Sequence, residues 1–192
     1  MKKRLFILFI ASMLYGQKNG DPRESWYLQL GLGTSDITYA KQWKPIIASN
    51  FGDDDYRLSG QLHFDALSAY VHANKQTLVG VTFSFSAIRY ESAEKFIQMN
   101  MSNLGLSSLY FFNQSFFGEG LFLRGDITAS YTGTINHKDF VRKTDYGLGV
   151  HFGGGYSFDI IGSRILCYVL LSRQKIEGES YSSRALSIGV LL

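Results

Sequence analysis

The feature that most constrains the fold is a strict two-residue alternation of apolar and small polar side chains, which recurs along most of the chain. The segment Leu78–Tyr90, LVGVTFSFSAIRY, shows it most clearly. One face carries valine and phenylalanine and the other glycine, threonine and serine: Val79, Val81, Phe83 and Phe85 against Gly80, Thr82, Ser84 and Ser86. A period of two predicts β-strands, because a helix would scatter these residues around its axis.

Eight stretches of this kind can be counted, with polar breaks between them. They are Ser25–Ala40, Leu58–Asn74, Leu78–Tyr90, Ile97–Phe112, Gly120–Thr132, Gly147–Ile160, Arg164–Ser172 and Ser183–Leu192. The breaks after the first, third, fifth and seventh stretches are predicted to be long loops, and the other three to be tight turns. Such an alternation indicates an antiparallel meander with all long loops at one end. The seventh stretch is apolar on both faces, which leaves its orientation open.

The sixth stretch, GLGVHFGGGYSFDI, indicates which face points inward. Its apolar face is bulky, and its other face is nearly stripped of side chains. Core strands of soluble proteins seldom carry so many glycines, because glycine packs nothing. Inside a narrow barrel small residues are needed, while an apolar outer face suits lipid. The sequence therefore predicts an all-β fold, an eight-stranded antiparallel up-and-down transmembrane β-barrel over residues 25–192.

Composition agrees with this interpretation. Only 18% of the residues are charged, against roughly a quarter in soluble domains. The net charge of +3 is too small to suggest a nucleic-acid partner. The single cysteine, Cys167, excludes an intramolecular disulfide and a cysteine-rich metal site. It is expected to be a buried or lipid-facing thiol.

The N-terminus, MKKRLFILFIASMLYGQ, has the pattern of a secretory signal peptide. A basic start precedes a short apolar stretch, and cleavage is predicted after Gly16. Residues 1–16 are thus assigned to the signal and 17–24 to a periplasmic tail. Later segments fall short of the about 20 apolar residues that a membrane helix needs.

Aromatic side chains cluster near both predicted ends of the strands, as expected of the two belts of a membrane barrel. One belt is predicted at the long-loop end, and comprises Tyr39, Tyr90, Tyr131, Tyr146 and Tyr181. The other is predicted at the opposite end, and comprises Trp26, Tyr27, Tyr70, Tyr110, Phe112, Tyr156 and Phe158. The alternative, an aromatic core in a soluble sandwich, would need the reverse inside–outside assignment.

With these features the chain resembles the small eight-stranded outer-membrane barrels of the OmpA, OmpX and OmpW type, without a C-terminal peptidoglycan-binding domain. The C-terminal strand carries the most specific likeness, since outward apolar residues alternate through Leu186, Ile188, Val190 and Leu192. The final leucine departs from the aromatic residue that is usual there. The resemblance implies a cell outer-membrane location, a monomer in contact with outer-membrane lipid, and recognition by the barrel-assembly machinery.

A polar network inside the barrel is predicted from charged and imidazole residues of the small-residue face: His63, Asp65, Arg124, Asp126 and His151. Asp145 is a further candidate for an interior charge. We expect Arg124 to bridge carboxylates across the lumen, because buried charges persist when paired. The alternative places Arg124 at the interface with its head group in water.

Motifs for catalysis or metal binding are weak. No histidine lies in the His-x-Ser arrangement of barrel enzymes that deacylate lipid A. Asp53–Asp55 could ligate a hard cation, although a solvated acidic loop tip is favoured. The glycine-rich sixth stretch lacks the lysine of a phosphate-binding loop. We expect no enzyme activity, cofactor or metal.

The expected function is that of a non-enzymatic integral outer-membrane protein with a structural or surface-interaction role through its long loops. Three alternatives stay open: a narrow passive channel for ions or small solutes, a lipid A-modifying enzyme, and a secreted lipid carrier of the lipocalin type.

Overall fold

The computed structural model describes residues 26–38, 43–52, 54–113, 119–137, 140–160 and 163–192. These residues form nine strands and one helix: β1 Tyr27–Thr38, α1 Trp43–Phe51, β2 Arg57–His72, β3 Thr77–Glu91, β4 Phe96–Phe111, β5 Gly120–Asn136, β6 Phe140–Lys143, β7 Gly147–Ile160, β8 Ser163–Ile176 and β9 Glu179–Leu191. The predicted signal peptide, its cleavage site at Gly16 and the tail lie outside the described residues. In the described part of the chain, α1 is too short to cross a bilayer, and no other helix could do so.

Eight of the strands close into an antiparallel barrel, as predicted. The barrel strands pair in the order of the sequence, and β1 pairs with β9 to complete the ring. The short β6 lies between β5 and β7 in sequence only, since β5 pairs directly with β7. The seam between β1 and β9 runs in register from Gln29–Leu191 to Thr38–Ser182. The extra strand, β6, pairs with the end of β5 through Gly133–Lys143 and Thr134–Arg142. It lies within the third predicted loop.

The apolar face of the strands points outward, which confirms the predicted inside–outside assignment. Leu106, Leu148 and Leu186 are between 61% and 67% exposed. The opposite face is buried and is rich in serine, threonine and glycine on β3, β5 and β7. In water such an outer surface would be costly, at about 25 cal/mol for each Å² of apolar area. Lipid removes that cost.

Two strands depart from simple alternation. A bulge between Asp65 and Leu67 shifts the register of β2 against β3, so that Ser68 and Tyr70 also face the lumen. On β8 the structure settles the orientation that the sequence left open. Leu166, Tyr168 and Leu170 are buried inside, whereas Val169 and Leu171 are exposed. Cys167 has the outward parity and is half-buried.

The predicted alternation of long and short connections is wrong at three places. The connection from β4 to β5, predicted to be a tight turn, spans residues 112–119. Residues 92–95 connect β3 to β4 in four residues, and Glu177–Gly178 alone connect β8 to β9. Beyond Ser172 the sequence becomes polar, yet β8 continues because Gln174 and Ile176 are buried in the lumen. Glu177 and Gly178 adopt φ values of 51° and 82°, a left-handed pair that suits a tight hairpin. The polar segment is therefore strand that projects beyond the lipid, and not loop.

The aromatic belts are smaller than predicted. Trp26, Tyr110, Phe112, Tyr156 and Phe158 are exposed at one end, and Tyr146 at the other. Three predicted members are instead buried inside the barrel, namely Tyr27, Tyr70 and Tyr181. They have inward parity, and proximity to a strand end alone does not separate a belt residue from a lumen residue. Tyr39 lies outside the described residues.

Candidate functional site

The centre of the lumen is organised around Arg124, which β5 directs inward from between the lipid-facing Leu123 and the exposed Gly125. Its two terminal nitrogens donate to both oxygens of Asp65, at 3.0 and 3.1 Å. Its Nε donates to the Asp126 carboxylate at 3.0 and 3.1 Å. The side chains of Arg124 and Asp65 are fully shielded, at 0% exposure each. The guanidinium thus bridges β5 and β2 and pairs with two carboxylates.

Asp65 accepts further contacts that hold it toward the arginine. The Tyr168 hydroxyl on β8 donates to Asp65 Oδ2, and the Arg124 guanidinium lies 5.8 Å from the centre of the same tyrosine ring. Gly31 makes room for this arrangement, since a Cβ there would lie 2.7 Å from the Tyr168 hydroxyl. Thr82 is a third acceptor residue of Arg124, which donates to its hydroxyl oxygen at 3.2 Å.

Asp126 is linked to the opposite wall through hydroxyl groups. Ser107 donates to Asp126 at 2.5 Å and also contacts the Tyr70 hydroxyl at 2.9 Å. Tyr70 in turn donates to Gln29, whose amide nitrogen donates to Tyr168. Sequence reasoning missed Ser107, Tyr70 and Tyr168 as members. Inward parity was the available signal for Ser107, but Tyr70 follows the bulge and Tyr168 lies on the strand of unassigned orientation.

Both predicted histidines lie in the lumen beside this cluster. His63 Nδ1 lies 2.8 Å from the Ser86 hydroxyl, and its Nε2 lies 3.6 Å from Asp65. His151 contacts the hydroxyls of Thr128 at 2.9 Å and Ser172 at 2.7 Å. The five predicted residues are thus on one inner surface. Ser86, His63 and Asp65 are arranged in the order of a catalytic triad of nucleophile, base and carboxylate. The distance of 3.6 Å between His63 and Asp65 is, however, too long for a hydrogen bond.

Asp145, the sixth candidate, does not belong to the lumen. It is exposed between β6 and β7, and its backbone N–H donates to Glu177 Oε1 at 3.0 Å. Its inward assignment was wrong because residues 144–146 precede β7, where the alternation that justified the assignment does not hold. Of the acidic triplet, Asp53 lies outside the described residues and Asp54 pairs with Lys95 at 2.6 Å. Among the described residues, no group of three potential ligands clusters as a metal site would require.

An apolar layer closes the lumen on either side of the charged centre. The layer at the end where β1 begins, here called the tail end, consists of Tyr27, Tyr70, Leu78, Leu109, Phe111, Phe122, Leu166, Tyr168, Leu170, Ala185 and Leu191. Phe122 packs against Phe111 and Tyr168, with ring centroids 5.7 and 6.1 Å apart. The layer at the other end, here called the helix end, consists of Ile37, Trp43, Ile88, Met99, Met101, Ile176 and Tyr181.

The helix end is capped by α1, which the connection from β1 to β2 lays across the mouth of the barrel. Trp43 is buried, and its indole nitrogen donates to Tyr181 at 3.2 Å. Ile47 and Phe51 are buried one and two turns later and pack with Ile97 of β4. Lys95 donates to the carbonyl oxygen of Phe51 at 3.4 Å, which caps the end of the helix. The sequence reasoning treated this connection as loop throughout.

Two clefts open beside the cap. One has a volume of about 390 Å³ and lies between α1 and the ends of β4 and β5, where Asn50, Lys95 and His137 line it. The other, of about 300 Å³, is lined by Tyr56, Arg57 and Glu91, among others. Both combine polar groups with some apolar surface at the helix end.

A closed barrel with a filled interior, charged at its centre, and with an apolar outer surface defines a class: the transmembrane β-barrels of bacterial outer membranes. The predicted outer-membrane location agrees with this class. No family model matches the chain, and no curated protein matches it in sequence.

Solved structures identify the fold more closely. The crystal structure of Neisserial surface protein A is similar with a TM-score of 0.58 at 13% identity, over 87% of this chain and 96% of that one. The attachment invasion locus protein Ail of Yersinia pestis, in complex with the heparin analogue sucrose octasulfate, gives 0.50 at 15% identity, over 87% and 97%. The chain therefore has the fold of the small eight-stranded outer-membrane barrels that its sequence resembles.

Proposed function

We propose that the protein is a sealed, non-enzymatic outer-membrane barrel that acts through the surface of its helix end, in a structural role or by contact with a molecule outside. The tail predicted before β1 assigns the tail end to the periplasm, so the helix end faces outward. The observation that supports the proposal most is the filling of the lumen by three successive layers of side chains.

Each layer obstructs the path that a channel would need. The tail-end layer is closed by packed aromatic rings, and the central layer by the Arg124–Asp65 pair that crosses from β5 to β2. The helix-end layer lies beneath α1, with Trp43 about 1% exposed. An eight-stranded barrel has an interior just wide enough for its own side chains. The narrow-channel alternative would require all three layers to rearrange.

The same burial counts against lipid-modifying chemistry. Ser86, His63 and Asp65 are each at most 3% exposed. A hydroxyl that attacks a lipid ester must reach a carbonyl carbon presented at the barrel wall. From inside a filled lumen Ser86 has no such access.

A role at the helix end is supported by what is exposed there. The cap presents Lys44, Pro45, Ala48 and Ser49 to solvent, and the two clefts flank it. The neighbours in fold are named as a surface protein and as an attachment invasion locus protein, and a role at the cell surface is compatible with both names.

Conductance in a planar lipid bilayer tests the sealed barrel. The full mature chain is reconstituted, and its insertion is verified by a mobility on gels that changes on boiling. We expect no stepwise conductance. Discrete steps from inserted protein would contradict the proposal and favour the channel.

Contact through the helix end is tested with point substitutions. Deletion of the whole β1–β2 connection would also remove α1, which is part of the lumen packing. Substitution of the exposed Lys44 and Ser49 by alanine should alter capture of an outside molecule by cells while the barrel stays intact. Lys75→Ala, on the β2–β3 turn at the tail end, is the matched control. Capture that is altered equally by the control would contradict a role of the helix end.

A further inference from the structure

The outer wall of β8 and β9 carries three cations where its apolar surface ends. Toward the helix end, the outward residues of β8 are Val169, Leu171, Arg173 and Lys175, and those of β9 are Ile188, Leu186 and Arg184. Arg173, Lys175 and Arg184 are all exposed. Leu171 and Leu186 are the outward residues next to the cations on the lipid side of the two strands, and they are 50% and 61% exposed. The charges therefore begin at the edge of the lipid-facing belt.

The strand register gathers these cations into one patch. Arg184 pairs with Leu171, and Arg173 pairs with Ser182. Arg173 and Arg184 are consequently diagonal neighbours on one face, which places the two residues about 7–8 Å apart, with their Cβ atoms somewhat closer. Lys175 follows two residues after Arg173. On the far side of β8, the pairing partners of Arg173 and Lys175 are the lipid-facing Val150 and Leu148.

The patch differs from three other cations of the helix end, each of which forms an ion pair. Arg89 pairs with Glu91, Lys95 with Asp54, and Arg142 with Glu177. Asp36 of β1 stands opposite Arg184 in register. Among the described residues, however, no carboxylate lies within 4.0 Å of the three patch cations. The three cations thus form no direct ion pair with a described carboxylate, and with Asp36 facing Arg184 the patch keeps a net positive charge beside lipid.

We propose that Arg173, Lys175 and Arg184 form a binding site for the phosphate groups of an anionic lipid in the outer leaflet. Guanidinium groups bind phosphate oxygens in a two-pronged geometry, and an ammonium group adds a point charge. The aliphatic stems lie along apolar surface while the charged heads reach the head-group level. The lipid is favoured over a soluble phosphate because the patch adjoins Leu148 and Val150 on the wall, away from the clefts at the tip. The inference rests on the barrel spanning the bilayer with its helix end outward, as in the proposed function, and not on the sealing of its lumen.

Lipid retention measures this site. The full mature chain is inserted into vesicles of phosphatidylcholine that contain a minority of phosphorylated lipid A, and is extracted in mild detergent. Retained lipid A is then counted by native mass spectrometry. The test variant combines Arg173→Gln, Lys175→Gln and Arg184→Gln. The control combines Arg57→Gln, Lys75→Gln and Lys143→Gln, which removes the same charge from exposed positions elsewhere.

We expect the test variant to retain at least about tenfold less lipid A than the wild type, since each cation beside an anionic membrane surface adds attraction. The control variant should retain as much as the wild type. Equal retention by all three proteins would overturn the site, and equal losses in both variants would reduce it to an effect of net charge. If inorganic pyrophosphate displaces lipid A and binds the detergent-extracted protein equally well, the assignment to lipid is wrong. Boiling-dependent gel mobility verifies that every variant is a folded barrel.

Discussion

The central layer of the lumen and the layer beneath α1 fill the same barrel by different means. In the centre, strands supply opposite charges that satisfy each other, with Arg124 between Asp65 and Asp126. At the helix end, a connection between strands supplies an apolar plug, with Trp43 beneath the mouth. A charged layer depends on every partner, because one missing group leaves another buried and unpaired. An apolar plug loses only the contacts that are removed, and it can move away as a unit.

The largest expected effect is that of Arg124→Ala, which would leave two carboxylates buried without their cation. Loss of one partner of a buried charge pair costs about 3–5 kcal/mol of stability. Urea unfolding of the barrel in detergent, followed by its gel mobility, measures the change. Arg124→Lys retains the charge and should recover part of the loss.

The matched control is Arg173→Ala on the outer wall, which we expect to change stability by no more than about 0.5 kcal/mol. If Arg124→Ala and Arg173→Ala shift the unfolding midpoint equally, the central network does not stabilise the fold.

A smaller global effect is expected of Trp43→Ala. Truncation of a buried tryptophan costs about 3–5 kcal/mol when the surroundings must stay in place. Here α1 can detach while the ring of strands remains closed, which limits the cost to that of docking the helix. Limited proteolysis should therefore cut near α1 in the variant, although its boiling-dependent mobility is unchanged.

Lys44→Ala, at the exposed neighbour of Trp43, should leave proteolysis as in the wild type. Global unfolding of Trp43→Ala without selective cleavage near α1 would show that the cap and the ring of strands form one cooperative unit.

The smallest effect is expected at the β8–β9 turn, outside both layers. The Asp145 backbone N–H and the Arg142 guanidinium donate to Glu177, at 3.0 and 2.6 Å, and lower the pKa of its carboxyl. A lowered pKa means that the contact stabilises the folded state above the ordinary glutamate value of about 4.3. That contribution is lost as the pH falls through the folded value.

The Asp145 amide resonance should consequently titrate with a midpoint below about 4.3, and Glu177→Gln should abolish the transition. At neutral pH Glu177→Gln should melt slightly below the wild type, because it loses the charged contact, and the decrease should be small because the contact is exposed at the surface. A midpoint above the ordinary value would contradict the contact.

The residues of the central layer could be predicted from the sequence, whereas the cap could not, and the difference has a physical reason. Strand alternation alone assigns His63, Arg124, Asp126 and His151 to the inner face, because their strands keep strict parity there. The inward position of Tyr70 was not predicted, because the bulge after Asp65 has no recognisable sequence signal. The cap was not predicted, because a nine-residue helix within a connection is stabilised by tertiary packing and not by its own propensity. This applies to its buried residues Trp43, Ile47 and Phe51. The polar end of β8 was predicted as loop, because a strand that continues beyond the lipid has the polar composition of a loop.

The seam between β1 and β9 also has a consequence for the kinetics of biogenesis. During synthesis β1 is made early, but the partner for one of its edges is among the last strands to be added. Until β9 arrives, that edge offers unpaired N–H and C=O groups to any other chain. Ring closure joins residues far apart in sequence, and such contacts form slowly. The interval before ring closure is therefore the period in which this chain most needs protection from aggregation. Variants that weaken the seam between β1 and β9 should first show a lower yield of folded barrel.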